Sequence, residues 1–188
     1  MHWLCRNIAD YTDQQLRTAQ QALSSSRSAH ILKMQRPEVR VRSLAGELAV
    51  YELLRQLDIT DARLHRAESG RPYLSGTDLF VSIAHSGDKV ACAVSENPVG
   101  IDIERIRPIK RQLVDYVCVE EEARYVLGQS RETLLQDGDT LQRFFEVWTA
   151  KEAYFKKLGT GITDLKSVNI LPMPRQMQRM DGYILQIL

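Results

Sequence analysis

The sequence is poor in the features that mark several large protein classes. It has three cysteines, Cys5, Cys92 and Cys118, scattered and without Cys-x-x-Cys spacing, which argues against a disulfide framework and a structural zinc site. No apolar run approaches the ~18 residues that cross a bilayer. The opening Met1-His2-Trp3-Leu4-Cys5-Arg6 lacks a basic stretch followed by an apolar core, so no signal peptide is expected and the cytoplasm is the expected compartment. Net charge is only +1 over 188 residues, too little for long-range attraction to nucleic acid or membrane. Low-complexity segments and linkers are missing as well. What is there, 44% hydrophobic and 26% charged residues, suits a globular protein of one large domain or two small halves.

Charge is uneven locally. Arg27, Lys33, Arg36, Arg40 and Arg42 face the single acid Glu38, and Glu120-Glu121-Glu122 form a compact acidic run. The first could hold a small anion and the second a cation, although each alone reads more simply as a solvated helix face.

Periodicity gives the elements. Residues 12–24 read as a helix capped by Thr12, with Gln15 completing a capping box. Residues 38–57 read as a helix carrying Val41, Leu44, Ala45, Leu48, Tyr51 and Leu54 at helical spacing. The polar run 68–72 reads as a loop. Strands follow at 79–83, 89–94 and 99–104, separated by tight turns that predict an antiparallel meander. After Pro108 come helices at 110–118, 119–128 and 141–158, the last stopped by Gly159 and Gly161. Runs 167–171 and 182–188 read as closing strands. Helix followed by strands occurs twice, so the expected fold is α+β with two similar halves, 1–98 and 99–188.

Three constellations carry chemistry. In Gly100-Ile101-Asp102-Ile103-Glu104, strand alternation puts Asp102 and Glu104 on one face, about 6.6 Å apart at the backbone, with Ile101 and Ile103 toward the core. Their oxygens could converge on one hard cation; the alternative is an edge strand with a solvated acidic face. In Trp148-Thr149-Ala150-Lys151-Glu152-Ala153-Tyr154-Phe155-Lys156, Phe144, Val147, Trp148, Phe155 and Leu158 make one apolar stripe. Lys151 falls inside it, where an ammonium needs an anion, and a ligand phosphate would serve. Glu152 and Lys156 are explained equally well by an i,i+4 surface pair. The third is Val81-Ser82-Ile83-Ala84-His85-Ser86-Gly87, a strand ending in a histidine able to donate to phosphate.

In order and spacing, the Gly70-Arg71-Pro72 loop, the strand ending in His85-Ser86, the Gly100–Glu104 strand, the acidic cluster and the Trp148–Lys156 helix resemble the surfactin-synthetase type of 4′-phosphopantetheinyl transferase, over roughly residues 36–162. The resemblance implies two similar α+β halves in pseudo-twofold arrangement, each a small antiparallel sheet packed on a long helix, with the active site between them. It implies transfer of phosphopantetheine from coenzyme A to a serine of an acyl or peptidyl carrier protein, with release of 3′,5′-ADP. It further implies Mg²⁺ held by Asp102, Glu104 and Glu152 beside the diphosphate. Lys156 and His85 then look like the phosphate-contacting residues, Lys151 like the lysine beside the third ligand, and Arg42 like the holder of the 3′-phosphate. Arg71 and Pro72 line the coenzyme A cleft. The base that takes the serine proton is Glu152 or Glu121, with Glu120 a competitor for the second position. Two fused halves imply a monomer, without nucleic-acid or membrane partners.

The chain departs from the family pattern in places. Ala84 stands where Ser-His-Ser is usual, leaving Ser86 as the neighbouring hydroxyl. Val81-Ser82 replaces Phe-Asn, and Arg27, Lys33 and Arg36 are the substitutes for upstream lysines. The C-terminal end is short where the family carries a carrier-binding extension. A non-catalytic coenzyme A- or nucleotide-binding module and a Mg²⁺-dependent phosphohydrolase are the competing readings.

Overall fold

Helix α1, Asp13–Ala22, begins where its capping box predicts. The Thr12 hydroxyl accepts from the Gln15 N–H at 3.3 Å, and the Gln15 side-chain carbonyl accepts from the Thr12 N–H at 2.8 Å, satisfying backbone donors that a helix start leaves open. The computed structural model describes residues 1–23, 25–136 and 138–188; Ser24, the expected last residue of this helix, lies outside them. The chain divides into two units, Met1–Val99 and Gly100–Leu188.

In the first unit, β1 (His2–Asn7) precedes α1, and α2 (Ser25–Leu32) and α3 (Pro37–Gln56) follow it. Then come β2 (Arg63–Arg66), β3 (Pro72–Ser75), β4 (Phe80–Ser86) and β5 (Lys89–Ser95). Pro37 sits in the first turn of α3, where a missing N–H costs no hydrogen bond. The sheet runs β1-β5-β4, all antiparallel. Helix α3 lies on it, packing Ala45, Ala49, Leu53 and Leu54 with Val90, Cys92 and Val94. Two features escape local pattern. Strand β1 owes its existence to pairing with the distant β5, and Pro72, expected in a loop, opens β3 of a β2–β3 hairpin, opposite Arg66. Proline is tolerated as the first residue of a strand.

The second unit contains β6 (Ile101–Arg105), β7 (Ile109–Lys110), α4 (Arg111–Val117), α5 (Glu120–Leu127), β8 (Leu134–Leu135), α6 (Gly138–Leu158), β9 (Gln176–Met180) and β10 (Tyr183–Ile187). Its sheet runs β6-β10-β9, again antiparallel. The expected meander therefore ends after two strands, because β6 pairs with β10 at the far end of the sequence. The strand expected at 167–171 is also corrected. Leu165–Ser167 is a 3₁₀ turn capped by Asp164, and Pro172 and Pro174 withhold the N–H groups a ladder needs, so the strand starts at Gln176. Helix α6 buries Phe144, Phe145, Val147 and Phe155 with Val114, Val126 and Ile184. Cutting a core phenylalanine to alanine costs about 3–5 kcal/mol. Leu158, placed in that apolar stripe by its spacing, is 48% exposed.

The fold is α+β, built from small antiparallel sheets and two long helices. Among the described residues, no helix is long and apolar enough to cross a membrane.

Candidate active site

A glycine sets the site's geometry. A Cβ on Gly100 would stand 1.8 Å from the Ala153 carbonyl oxygen and 2.7 Å from the Lys157 nitrogen, so only glycine lets the chain entering β6 lie against the backbone of α6. Two residues on, Asp102 is 5% exposed, and its neighbours Ile101 and Ile103 are fully buried. The solvated acidic face is thereby excluded for Asp102. Lys156, on α6, donates to Asp102 Oδ1 at 2.6 Å. The lysine turns to Asp102, not to Glu152 as the i,i+4 surface pair would have it.

The electrostatics show a surplus of negative charge. Burial pushes the Asp102 carboxyl up to about 6; Lys156 opposes this and Glu104 adds to it. Burial likewise pushes Glu152 up to about 7, with repulsion from Asp102 next in weight, Lys156 in opposition and Glu104 a smaller repulsion. The three carboxylates thus lie within electrostatic range of one another. Asp102 Oδ2 is buried without a hydrogen-bond partner, while Glu104 accepts from Arg107 at 3.1 Å. A hard divalent cation, which prefers oxygen donors, fits this set: it would satisfy Oδ2 and relieve the repulsion. The side chains do not form a ready ligand shell, since no group of three or more His, Cys, Asp or Glu among the described residues is arranged to hold a metal ion.

Lys151 needs correction. It is fully buried, and its ammonium meets Glu122 Oε2 at 2.6 Å. It also donates to the carbonyls of Val117 at 3.0 Å, Leu165 at 2.6 Å and Val168 at 2.9 Å. Three protons are already committed to four acceptors, so Lys151 has no donor for a substrate phosphate. The anion its apolar position demanded is internal. Glu122 also accepts from the N–H groups of Val119 at 2.9 Å and Ile170 at 2.8 Å, tying α5, α6 and the following loop together. Of the acidic run it is the member that holds a buried cation, and sequence reasoning passed over it for Glu121 and Glu120. The signal was present: Glu122 lies three residues after Val119, the N-cap of α5, which is the capping-box position. Glu121 is exposed and accepts from Asn169 at 2.7 Å, and Glu120 is an exposed partner of Arg124.

The first unit places the remaining candidates. Arg42 donates from Nε to the Gly87 carbonyl at 2.9 Å, in the turn directly after His85 and Ser86 at the end of β4. His85 is exposed and Ser86 half-buried, whereas Ala84 faces inward at 3% exposure. Arg71 and Pro72 line a cavity of about 330 Å³ with Thr77, Leu79 and Val81. Arg27 is engaged elsewhere: with Arg66 it neutralises the buried Glu47, at 3.0 and 3.2 Å, and it donates to Ser43 at 2.6 Å. That structural pairing removes it as a substitute phosphate ligand. Glu47 was another buried charge that periodicity did not single out.

Comparison with known proteins finds similarity over the segment that carries β6 and α6. The model of the 4′-phosphopantetheinyl transferase superfamily matches residues 98–184, which include β6 and α6. The chain is 39% identical over 124 residues to the 4′-phosphopantetheinyl transferase gsp of Aneurinibacillus migulanus, covering 64% of this chain and 49% of that protein. It is 29% identical over 126 residues to the transferase Sfp of Bacillus subtilis, covering 65% and 54%. It is 29% identical over 183 residues to the transferase HetI of a Nostoc species, covering 92% and 75%. The chain thus spans about half the length of the first two of these relatives. The segment that carries the glycine-set strand and the lysine-bonded aspartate is thus similar to the 4′-phosphopantetheinyl transferase superfamily over residues 98–184, and about two thirds of the chain is similar to transferases of the Sfp type.

Proposed function

We propose that the protein transfers the 4′-phosphopantetheine group of coenzyme A to a serine of an acyl or peptidyl carrier protein, in a Mg²⁺-dependent reaction that releases 3′,5′-ADP. The observation that carries this reading is the buried Asp102, bonded to Lys156 on one oxygen and unpartnered on the other. That is the anion–cation set a diphosphate and its counter-ion require. The names of the relatives support the reaction class.

In this reading Asp102, Glu104 and Glu152 hold the metal. When bound, Mg²⁺ neutralises charge on the diphosphate and on the leaving group. Lys156, His85 and Ser86 contact phosphate oxygens, Arg42 holds the 3′-phosphate, and Arg71 and Pro72 line the nucleotide's path. The serine Oγ forms its bond to the β-phosphorus as the bond from that phosphorus to the departing 3′,5′-ADP breaks. Glu152, or Glu121 through a water, takes the serine proton. Glu121 is the weaker choice, exposed and engaged with Asn169.

The test is mass spectrometry of a panel of carrier proteins incubated with enzyme, coenzyme A and Mg²⁺. The expected result is gain of one phosphopantetheine group on a carrier serine, with one 3′,5′-ADP per transfer. Coenzyme A binding without mass gain on any carrier would favour the non-catalytic module, and coenzyme A cleavage without mass gain would favour a hydrolase.

A further inference from the structure

Lys156 and a divalent cation have overlapping claims on Asp102. The ammonium sits 2.6 Å from Asp102 Oδ1, on a carboxylate side chain that is 7% exposed. Lys156 itself is 32% exposed and stands on the last turn of α6, one turn after Glu152. A buried aspartate thus already has a cation, and that cation is on a long, partly solvated stem free to extend. A divalent ion held beside Asp102 and Glu152 would share Asp102 with the Lys156 ammonium, and the repulsion between the two cations would not be screened as it is in water. A diphosphate arriving with the metal changes this balance, because its oxygens give the displaced ammonium a new partner.

We propose that Lys156 is a stand-in cation: it occupies Asp102 until a metal–diphosphate pair displaces it, so that the site selects that pair over the bare ion. The proposal rests on the metal-binding reading above. It adds to the lysine's phosphate contact a second role, the suppression of futile metal binding. Binding of metal and diphosphate is then cooperative, each raising the affinity of the other by the same factor, as linkage requires.

The experiment is calorimetric titration of Mn²⁺ into the intact protein, with and without coenzyme A, at one pH above the range in which Asp102 and Glu152 take up protons. The wild type should bind bare Mn²⁺ weakly and bind it more tightly once coenzyme A is present. Lys156→Met should bind bare Mn²⁺ about tenfold more tightly than wild type, the scale of one lost charge-assisted hydrogen bond, and should lose most of the coenzyme A enhancement. Lys156→Arg keeps the charge and should resemble wild type. It serves as the second variant if the methionine substitution unfolds the protein, and tight binding of bare Mn²⁺ by Lys156→Arg would overturn the proposal. Bare-ion affinity unchanged or weakened in a folded Lys156→Met protein would also overturn it, while leaving the metal reading intact provided the wild type binds Mn²⁺ with coenzyme A. If wild type and variants bind no Mn²⁺ in either condition, both readings fall.

Discussion

The two units are built alike and handle buried charge differently. Each lays a long helix, α3 or α6, on a three-stranded antiparallel sheet, and each carries charged side chains into its interior. In the first unit the buried acid Glu47 faces two guanidiniums, Arg27 and Arg66. In the second, Glu122 and Lys151 cancel each other at full burial, yet Asp102, on β6, retains an oxygen without a partner and an acidic neighbour, Glu104, that repels it. Matched charge holds a fold together, and surplus charge of one sign marks the place where something else is to be bound. The difference marks the second unit as the one whose buried charge is left unmatched, even though the two cores are built to one plan.

The sharpest way to break this comparison is to neutralise one acid in each unit. Asp102→Asn should lower transfer by about a thousandfold, the scale of losing a main stabiliser of transition-state charge, without lowering the melting temperature, since it removes a surplus charge. Glu47→Gln should do the reverse, costing about 3 kcal/mol by leaving two guanidiniums short of a counter-ion with kcat per folded molecule unchanged. Transfer rates and urea melts of both variants decide it; equal behaviour would erase the distinction.

Lys151→Met comes next. It should cost about 3–5 kcal/mol in urea melts, because Glu122 is left buried and uncompensated. Adding Glu122→Leu should recover part of that loss, a coupling a double-mutant cycle measures. Gly100→Ala probes packing instead of charge. With its Cβ 1.8 Å from the Ala153 oxygen, β6 must shift, and the expected result is a loss of a few kcal/mol with transfer reduced beyond what the lost stability explains.

pH gives a smaller effect. Asp102 and Glu152 are raised to about 6 and about 7, so in this range the metal-free folded protein binds more protons than the unfolded chain. Their contribution to stability is therefore fully present below the ordinary carboxyl range and is lost as pH climbs through 6 to 7. Melts across pH should show this decline in the wild type and a shallower one in Asp102→Asn. Transfer should rise over the same interval as the carboxylates ionise. The smallest expected change is Thr12→Ala, which removes the α1 cap at a cost of about 1 kcal/mol.

Legibility followed locality. The cap on α1, the body of α3, the stop of α6 before Gly159 and the strand Gly100–Glu104 were all readable, because each depends on residues within a turn or two. Strand β1, the pairing of β6 with β10 and the closing strand at Gln176 were not, because each depends on a partner far away in sequence or on prolines that outweigh a short apolar run. At the site, the sequence named Asp102, Glu152 and Lys156 as candidates. It assigned Lys151 to a ligand and overlooked Glu122, because helical spacing reveals that a buried ammonium needs an anion without revealing which anion is near.

Composition, periodicity and motif spacing therefore determined an α+β protein with two long helices and an acid-and-lysine constellation suited to a diphosphate. Only the tertiary structure decided which charges cancel. Ion pairing depends on distance and desolvation, and the pairs that matter, Lys156 with Asp102 and Lys151 with Glu122, join residues 54 and 29 positions apart in the chain.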